Sequence, residues 1–134
     1  MSVIKLSRVL VNQLLTHAQS SPEQEICGLV SARDGVANHS YPIKNSATDP
    51  GRIFEMAPQQ QIDAMRQMRE QGDELFAIYH SHPHASAEPS LADIQQSAYP
   101  DTCYLIISLD IEGVLEMRAW QLRDDGVVAV DIAV

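Results

Sequence analysis

The sequence predicts an α/β fold in which helices flank a single sheet. Short apolar runs bounded by turn-forming residues alternate with segments in which apolar residues recur at helical spacing. The predicted helices are interleaved with antiparallel hairpins, and no regular βαβ repeat is visible. The chain has 134 residues and no internal repeat or low-complexity segment. We therefore expect one domain over residues 1–134.

The first predicted elements are a helix and a tight hairpin. Ser7 is a suitable N-cap, and apolar residues follow it at helical spacing until Ser20-Ser21-Pro22 ends the helix. The apolar run 26–32 is typical of a buried strand. Asp34-Gly35 is a strong hairpin-turn sequence, and it is expected to join that strand to a second one at 36–43.

The middle of the chain predicts a strand, a helix and another strand. After a polar loop, 52–56 is expected to form a short strand. Pro58 suits the first turn of a helix, and Gly72 lies where a helix commonly ends. The run 74–80 is the most strand-like segment of the sequence.

The last third predicts one short helix followed by strands and turns. The helix is expected at 90–98. The strands are expected at 102–109, 114–122 and 127–133, with turns at 110–113 and 124–126.

The charge balance excludes several kinds of partner. Nine Lys and Arg residues oppose eighteen Asp and Glu residues, so the formal net charge is −9 with neutral histidines. Nucleic acid and anionic membranes are also negative, so non-specific binding to either is not expected.

No apolar run approaches the roughly eighteen residues of a membrane-spanning helix, and no secretory signal is visible. We expect a cytoplasmic protein whose two cysteines, Cys27 and Cys103, stay reduced.

Two histidines at the end of the 74–80 strand and one aspartate from the following helix form a candidate metal site. His80 and His82 are two residues apart, so period-two alternation places both imidazoles on one face. Asp93 offers a carboxylate from the first turn of the next helix. Two imidazoles and one carboxylate suit Zn²⁺ and leave a fourth position for water. The alternative for Asp93 is purely structural, because Ser90 and Asp93 also have the spacing of a capping box.

Glu25 is the candidate proton carrier of such a site. It precedes the buried strand 26–32, where a carboxylate can face a cavity and shuttle a proton. The plain alternative is an exposed acid before a strand. Cys27 lies on the same strand face and is a rival as fourth ligand or nucleophile, although a small buried cysteine is the simpler interpretation.

These residues resemble the pattern of one family. The segments that carry the resemblance are Glu25-x-Cys27-Gly28-Leu29, His80-Ser81-His82-Pro83 and Ser90-x-x-Asp93. Together they resemble the JAMM (MPN-plus) metalloproteases, whose pattern is a Glu, then His-x-His, then ten residues to an Asp. Residues 83–92 give that spacing, and no key position departs from the pattern.

The resemblance implies a role for each matching residue. His80, His82 and Asp93 would bind zinc, Glu25 would act as general base and then acid, and Ser90 would help to stabilise the oxyanion. Cys27 would then only pack, and His84, which lies outside the motif, would be a loop residue. The implied fold is a curved mixed sheet with flanking helices, similar to cytidine deaminase in layout.

The resemblance also implies a substrate class. The chain is similar to the short prokaryotic members, some of which process small ubiquitin-like or sulfur-carrier proteins that end in Gly-Gly. The expected reaction is hydrolysis of the amide bond after that terminus. The alternatives are a non-catalytic MPN-type binding module and a zinc amidohydrolase or deaminase acting on a small molecule. Against the last, the chain lacks the Cys-x-x-Cys ligands usual in deaminases.

Overall fold

The structure is a computed structural model that describes residues 3–111 and 114–134. Within these residues the elements are, in chain order, β1 (Val3–Lys5), α1 (Arg8–Gln19), β2 (Cys27–Arg33), β3 (Val36–Ile43), α2 (Pro58–Glu70), β4 (Glu74–His82), α3 (Leu91–Gln96), β5 (Cys103–Ile111), β6 (Val114–Arg123) and β7 (Gly126–Ala133). None of the described helices is long and apolar enough to cross a membrane.

The strands form one mixed sheet of seven strands in the order β1-β7-β6-β5-β4-β2-β3. The pairs β1/β7 and β4/β5 are parallel, and the other neighbours are antiparallel. Register shifts interrupt the pairings of β2 with β3 and β4, and of β5 with β6. Because such irregularities bend strands, they account for the curvature of the sheet. The predicted fold class, a curved mixed sheet with flanking helices, is therefore confirmed.

Strand alternation divides the core between the two faces of the sheet. Ala77 and Tyr79 of β4 pack in the cluster that contains the buried face of α1, whereas Ile78 packs in the cluster that contains Met68 of α2. His80 and His82 have the same parity as Ile78, so they lie on the α2 face. β4 thus presents its two histidines on one side of the sheet, next to the loop before α2.

Several boundaries differ from the predicted ones, most by one or two residues. The strand expected at 74–80 continues to His82, and the helix expected at 90–98 covers only Leu91–Gln96. The turn expected at 110–113 begins later, because β5 runs to Ile111; residues 112 and 113 lie outside the described part.

The strand expected at 52–56 is wrong. Of these residues only Met56 forms a β-bridge, an isolated one with Asn45. Part of the segment's backbone bonds a side chain rather than a partner strand: Asn45 Nδ2 donates to the Ile53 carbonyl at 3.0 Å, and Glu55 N donates to Asn45 Oδ1 at 3.0 Å. Side-chain oxygens and amides that bond the backbone in this way compete with strand pairing.

The sequence pattern missed β1. Val3–Lys5 pairs in parallel with the C-terminal strand, in the register Val3↔Asp131. Three residues carry almost no periodicity, and the partner strand lies at the other end of the chain. The helix after it is as predicted, since the Ser7 side chain accepts a hydrogen bond from Leu10 N at 3.1 Å.

Candidate metal centre

β4 and α3 bring the two histidines and Asp93 together. His80 Nε2 and His82 Nε2 are 3.2 Å apart, and Asp93 Oδ2 lies 3.1 Å from the first and 3.0 Å from the second. All three residues are buried. Tetrahedral zinc with ligand atoms at about 2.0–2.1 Å requires those atoms to be about 3.3 Å apart. The spacing of the three atoms therefore fits zinc.

The chemistry of the donors also fits a metal ion. His82 Nδ1 lies 2.7 Å from the Ser86 carbonyl, which can only accept, so Nδ1 carries the proton and Nε2 is free to bind a metal. His80 stacks on Phe54 with ring centroids 4.3 Å apart. Burial lowers the pKa of His80, and the Asp93 carboxylate only partly offsets this effect. His80 is thus held neutral, as a ligand must be.

Asp93 combines both roles that the sequence left open. Its Oδ2 accepts a hydrogen bond from Ser90 N at 2.9 Å, and Asp93 N donates to Ser90 Oγ at 3.1 Å. The capping box of α3 is therefore present. The same oxygen faces both histidines. Burial alone would raise the pKa of Asp93, but the neighbouring His80 and His82 hold that pKa well below its usual range.

Glu25 lies beside this cluster. Its carboxylate, the two histidines and Asp93 offer four ligand atoms within 4.8 Å of one another. Glu25 is only 5% exposed, and its Oε1 is buried without a hydrogen-bond partner. Burial raises the pKa of Glu25 to about 7, with opposing effects from His82, which lowers it, and Asp93, which raises it. The exposed acid considered from the sequence is thus excluded.

Hydrogen bonds to the backbone of Glu25 and Ile26 fix this segment against β4 and against the loop before α2. Ile26 N donates to Ser81 Oγ at 2.9 Å, and Ser81 N donates to the Ile26 carbonyl at 3.0 Å. Glu25 N donates to the Pro50 carbonyl at 2.7 Å, and Asn45 Nδ2 donates to the Glu25 carbonyl at 2.8 Å. Ile26, which follows Glu25, is therefore held by Ser81, which lies between the two histidines.

The remaining candidates take different places. Cys27 Sγ donates to the Ile43 carbonyl at 3.3 Å, and its thiol lies outside the four-residue ligand cluster. Burial, with a smaller effect from Glu25, raises the pKa of the Cys27 thiol to about 12. His84 is exposed, and its Nε2 lies 3.2 Å from Glu23 Oε2. Among the described residues, neither contributes to the cluster.

A cavity of about 370 Å³ opens beside Glu25. Its lining residues are Glu25, Gly51, Arg52, His82, Pro83, His84, Ala85 and Ser90. It gives a small ligand access to Glu25 and to one face of the candidate metal centre.

Comparison with known proteins identifies the family. The family model described as prokaryotic homologs of the JAB domain matches residues 7–123. The chain belongs to this family. The resemblance stated from the three sequence motifs is thereby confirmed.

Two curated proteins illustrate the relationship. The JAB chain is 31% identical over 117 residues to a desampylase of Haloferax volcanii, covering 81% of each chain. It is 26% identical over 127 residues to a CysO-cysteine peptidase of Mycobacterium tuberculosis, covering 93% of the JAB chain and 86% of the peptidase.

Two solved structures support the fold. A Desulfitobacterium hafniense protein is 32% identical and superposes with a TM-score of 0.87. The match covers 97% of the present chain and 91% of the Desulfitobacterium chain. A JAB1/MPN domain protein of Archaeoglobus fulgidus, at 18% identity, has a TM-score of 0.58 over 100% of this chain and 98% of its own. At that identity the second structure supports the fold alone.

Sequence reasoning missed three residues that organise the site of this JAB chain. They are Asn45, Phe54 and Ser81. Ser81 lies inside the His-x-His segment, where its position between two candidate ligands was a usable indication. Asn45 and Phe54 carry no comparable pattern, because their contacts depend on how the 44–56 segment folds back on Glu25 and His80.

Proposed function

We propose that this chain is a zinc-dependent peptidase that hydrolyses the amide bond after the C-terminal Gly-Gly of a small ubiquitin-like or sulfur-carrier protein. The chain is a hydrolase of the JAMM type. The observation that carries the zinc proposal is the convergence of His80 Nε2, His82 Nε2 and Asp93 Oδ2 beside the buried Glu25 carboxylate. The names of the two curated relatives, a desampylase and a CysO-cysteine peptidase, support the substrate class.

His80, His82 and Asp93 would hold the zinc ion. When bound, zinc supplies a Lewis acid that lowers the pKa of water to about 7, so that hydroxide is available at neutral pH. The capping box keeps Asp93 in position, and the Ser86 carbonyl keeps the His82 ring in position. Both contacts orient ligands before a metal arrives, which favours binding.

Glu25 would move the proton. A group whose pKa is near 7 can accept a proton and return it at neutral pH. Glu25 would take one proton from the attacking water and deliver it to the nitrogen of the scissile amide. The carbon–nitrogen bond then breaks, giving the Gly-Gly carboxylate and a free amine. Ser90, whose side chain lies beside the same cavity, would stabilise the oxyanion by hydrogen bonding.

The sheet offers a surface for the carrier tail. β3 is an edge strand, paired only with β2 among the described strands, and β2 is paired with β4. An extended tail can add to such an edge by backbone hydrogen bonds. Selection of Gly-Gly would follow from a narrow approach that admits no side chain. We also propose that the protein is cytoplasmic, as expected from the sequence.

The test measures zinc content and turnover of the same samples. We expect wild-type protein to bind one zinc ion and to cleave a carrier–peptide fusion, with loss of both after chelation and recovery on adding zinc. Glu25→Ala should retain the zinc and lose turnover. If wild type and Glu25→Ala cleave the fusion equally, the hydrolytic mechanism fails. If wild type binds zinc and releases ammonia from nucleosides without cleaving the fusion, the chain is a deaminase instead.

A further inference from the structure

An arginine, Arg52, lines the cavity beside Glu25 in a strongly acidic protein. His84 lines the cavity as well, and the formal net charge of the chain is −9 with neutral histidines. Among the described residues that line the cavity, Glu25 carries the only acidic side chain. Because the average field of the protein repels anions, a cation at this position is a local exception that needs a reason.

Arg52 and His84 differ in what they already contact. His84 Nε2 lies 3.2 Å from Glu23 Oε2. Arg52 is exposed, and the described residues offer its guanidinium no salt bridge; its hydrogen bond is a backbone one, from Arg52 N to the Asp49 carbonyl at 3.1 Å. The Arg52 guanidinium is therefore available to a ligand.

The loop that carries Arg52 is fixed to the proposed proton carrier. The Pro50 carbonyl, two residues before Arg52, accepts the hydrogen bond from Glu25 N at 2.7 Å. Because Glu25 would protonate the leaving amine, a leaving group held in the cavity that Glu25 lines would lie close to its proton donor. A volume of about 370 Å³ is at the lower end of small-ligand sites, which run to about 1,000 Å³. It fits a small leaving group better than a folded protein.

We propose that Arg52 is a specificity-determining residue that binds the free α-carboxylate of a single amino acid released from the carrier terminus. This inference rests on the proposed function and narrows its substrate. In such a leaving group the carboxylate carbon is two covalent bonds from the nitrogen that Glu25 protonates. In an isopeptide to a protein lysine, the nitrogen is followed by methylene groups and carries no nearby carboxylate. A guanidinium matches a carboxylate through paired N–H donors.

The test uses two synthetic peptides that end in Gly-Gly-Ala, one as the free acid and one as the carboxamide. We expect wild type to have a kcat/KM about tenfold higher for the acid, as for a charge-assisted bond at a partly exposed site. Arg52→Gln should bring the two values together by lowering that for the acid alone. Arg52→Lys should keep part of the preference. Arg69→Gln removes the same charge from the end of α2, away from the cavity, and should leave the preference intact.

A binding measurement separates this inference from the proposed function. In the Glu25→Gln background, where no turnover is expected, calorimetry should give about tenfold tighter binding of the acid than of the amide. Arg52→Gln should remove that difference. The inference is overturned if neither peptide binds, if both bind equally, or if Arg52→Gln weakens both to the same extent. Tighter binding of the acid without cleavage by wild type would retain the Arg52 site and reject the peptidase function.

Discussion

Asp93 Oδ2 contacts three groups that make different demands on it. Ser90 N needs an acceptor to cap α3, whereas the two histidines bring nitrogen atoms to the place where a metal ion would lie. An asparagine keeps an acceptor oxygen for the cap but removes the negative charge. The two roles can therefore be separated by substitution.

We expect Asp93→Asn to lose most of its bound zinc while the free energy of unfolding of the metal-free protein changes little. Ser90→Ala removes the side-chain acceptor of the cap, so it should cost about 1 kcal/mol of stability and retain the zinc. Mass-spectrometric metal analysis and urea unfolding of both variants measure these effects. Stoichiometric zinc in Asp93→Asn would contradict the assignment of Asp93 as a ligand.

The reactivity of Cys27 shows whether this residue only packs in the core or can act as a nucleophile. Its raised pKa keeps the thiol protonated, and the pKa of Cys103 is also raised by burial, to about 11. Thiolate is the reactive form, so iodoacetamide at pH 8 should modify neither cysteine in the native protein and both in urea. Peptide mass spectrometry gives the extent of modification. Rapid native alkylation of Cys27 would restore it as a candidate nucleophile.

At the scale of elements, Asn45 lies just after β3 and links that part of the chain to the candidate metal centre by hydrogen bonds. Its Nδ2 donates to the carbonyls of Glu25 and Ile53, and its Oδ1 accepts from the backbone N–H groups of Ala47 and Glu55. One side chain therefore holds the Glu25 backbone and the loop that carries Phe54.

Asn45→Ala should lower kcat about tenfold or more, because Glu25 loses support, while the zinc content stays at the wild-type level. Lost buried hydrogen bonds should also cost about 1–3 kcal/mol of stability. Asn45→Asp keeps the acceptor and lacks the donor, so it should recover stability only in part. Wild-type turnover and unfolding in Asn45→Ala would refute this positioning role.

Gly28 allows β2 to lie close to its neighbours in the sheet. A Cβ at Gly28 would overlap the Tyr79 hydroxyl, and it would lie 2.6 Å from the Tyr41 carbonyl, which is backbone. Tyr79 is fully buried and its hydroxyl lies 2.8 Å from His17 Nδ1, so it has little freedom to move.

We expect Gly28→Ala to destabilise the fold by about 1–3 kcal/mol, as overpacked core positions do. Gly51→Ala is the matched control, because its Cβ would meet a single atom, the Glu23 carbonyl oxygen, at 3.3 Å. Urea midpoints compare the two variants. Equal midpoints for Gly28→Ala and wild type would contradict this prediction, because they would show that the sheet accommodates a Cβ at position 28.

At the scale of the whole molecule, the sequence predicted what depends on local pattern. Helical spacing and the Ser7 cap predicted α1, and Asp34-Gly35 predicted the β2–β3 hairpin. Period-two alternation placed His80 and His82 on one face. The parts that it missed depend on distant contacts: β1 exists because it pairs with β7, and 52–56 is irregular because Asn45 bonds its backbone.

The chain places its charges unevenly around the site. Glu25 and Asp93 are buried acids within the ligand cluster, while Arg52 stands at the rim of the cavity that leads to them. The other acidic residues contribute to a field that would attract a basic carrier surface, an effect that salt weakens. Under the proposed function, the tail rather than a large interface would decide where hydrolysis occurs.

The most direct test of the central claim is the intact mass of a ubiquitin-like protein that ends in Gly-Gly followed by a short tail, before and after incubation with the zinc-loaded protein. We predict a mass loss equal to the tail, which leaves Gly-Gly as the new C-terminus, and no loss with Glu25→Gln. An unchanged mass with wild type, or the same loss with Glu25→Gln, would contradict the account.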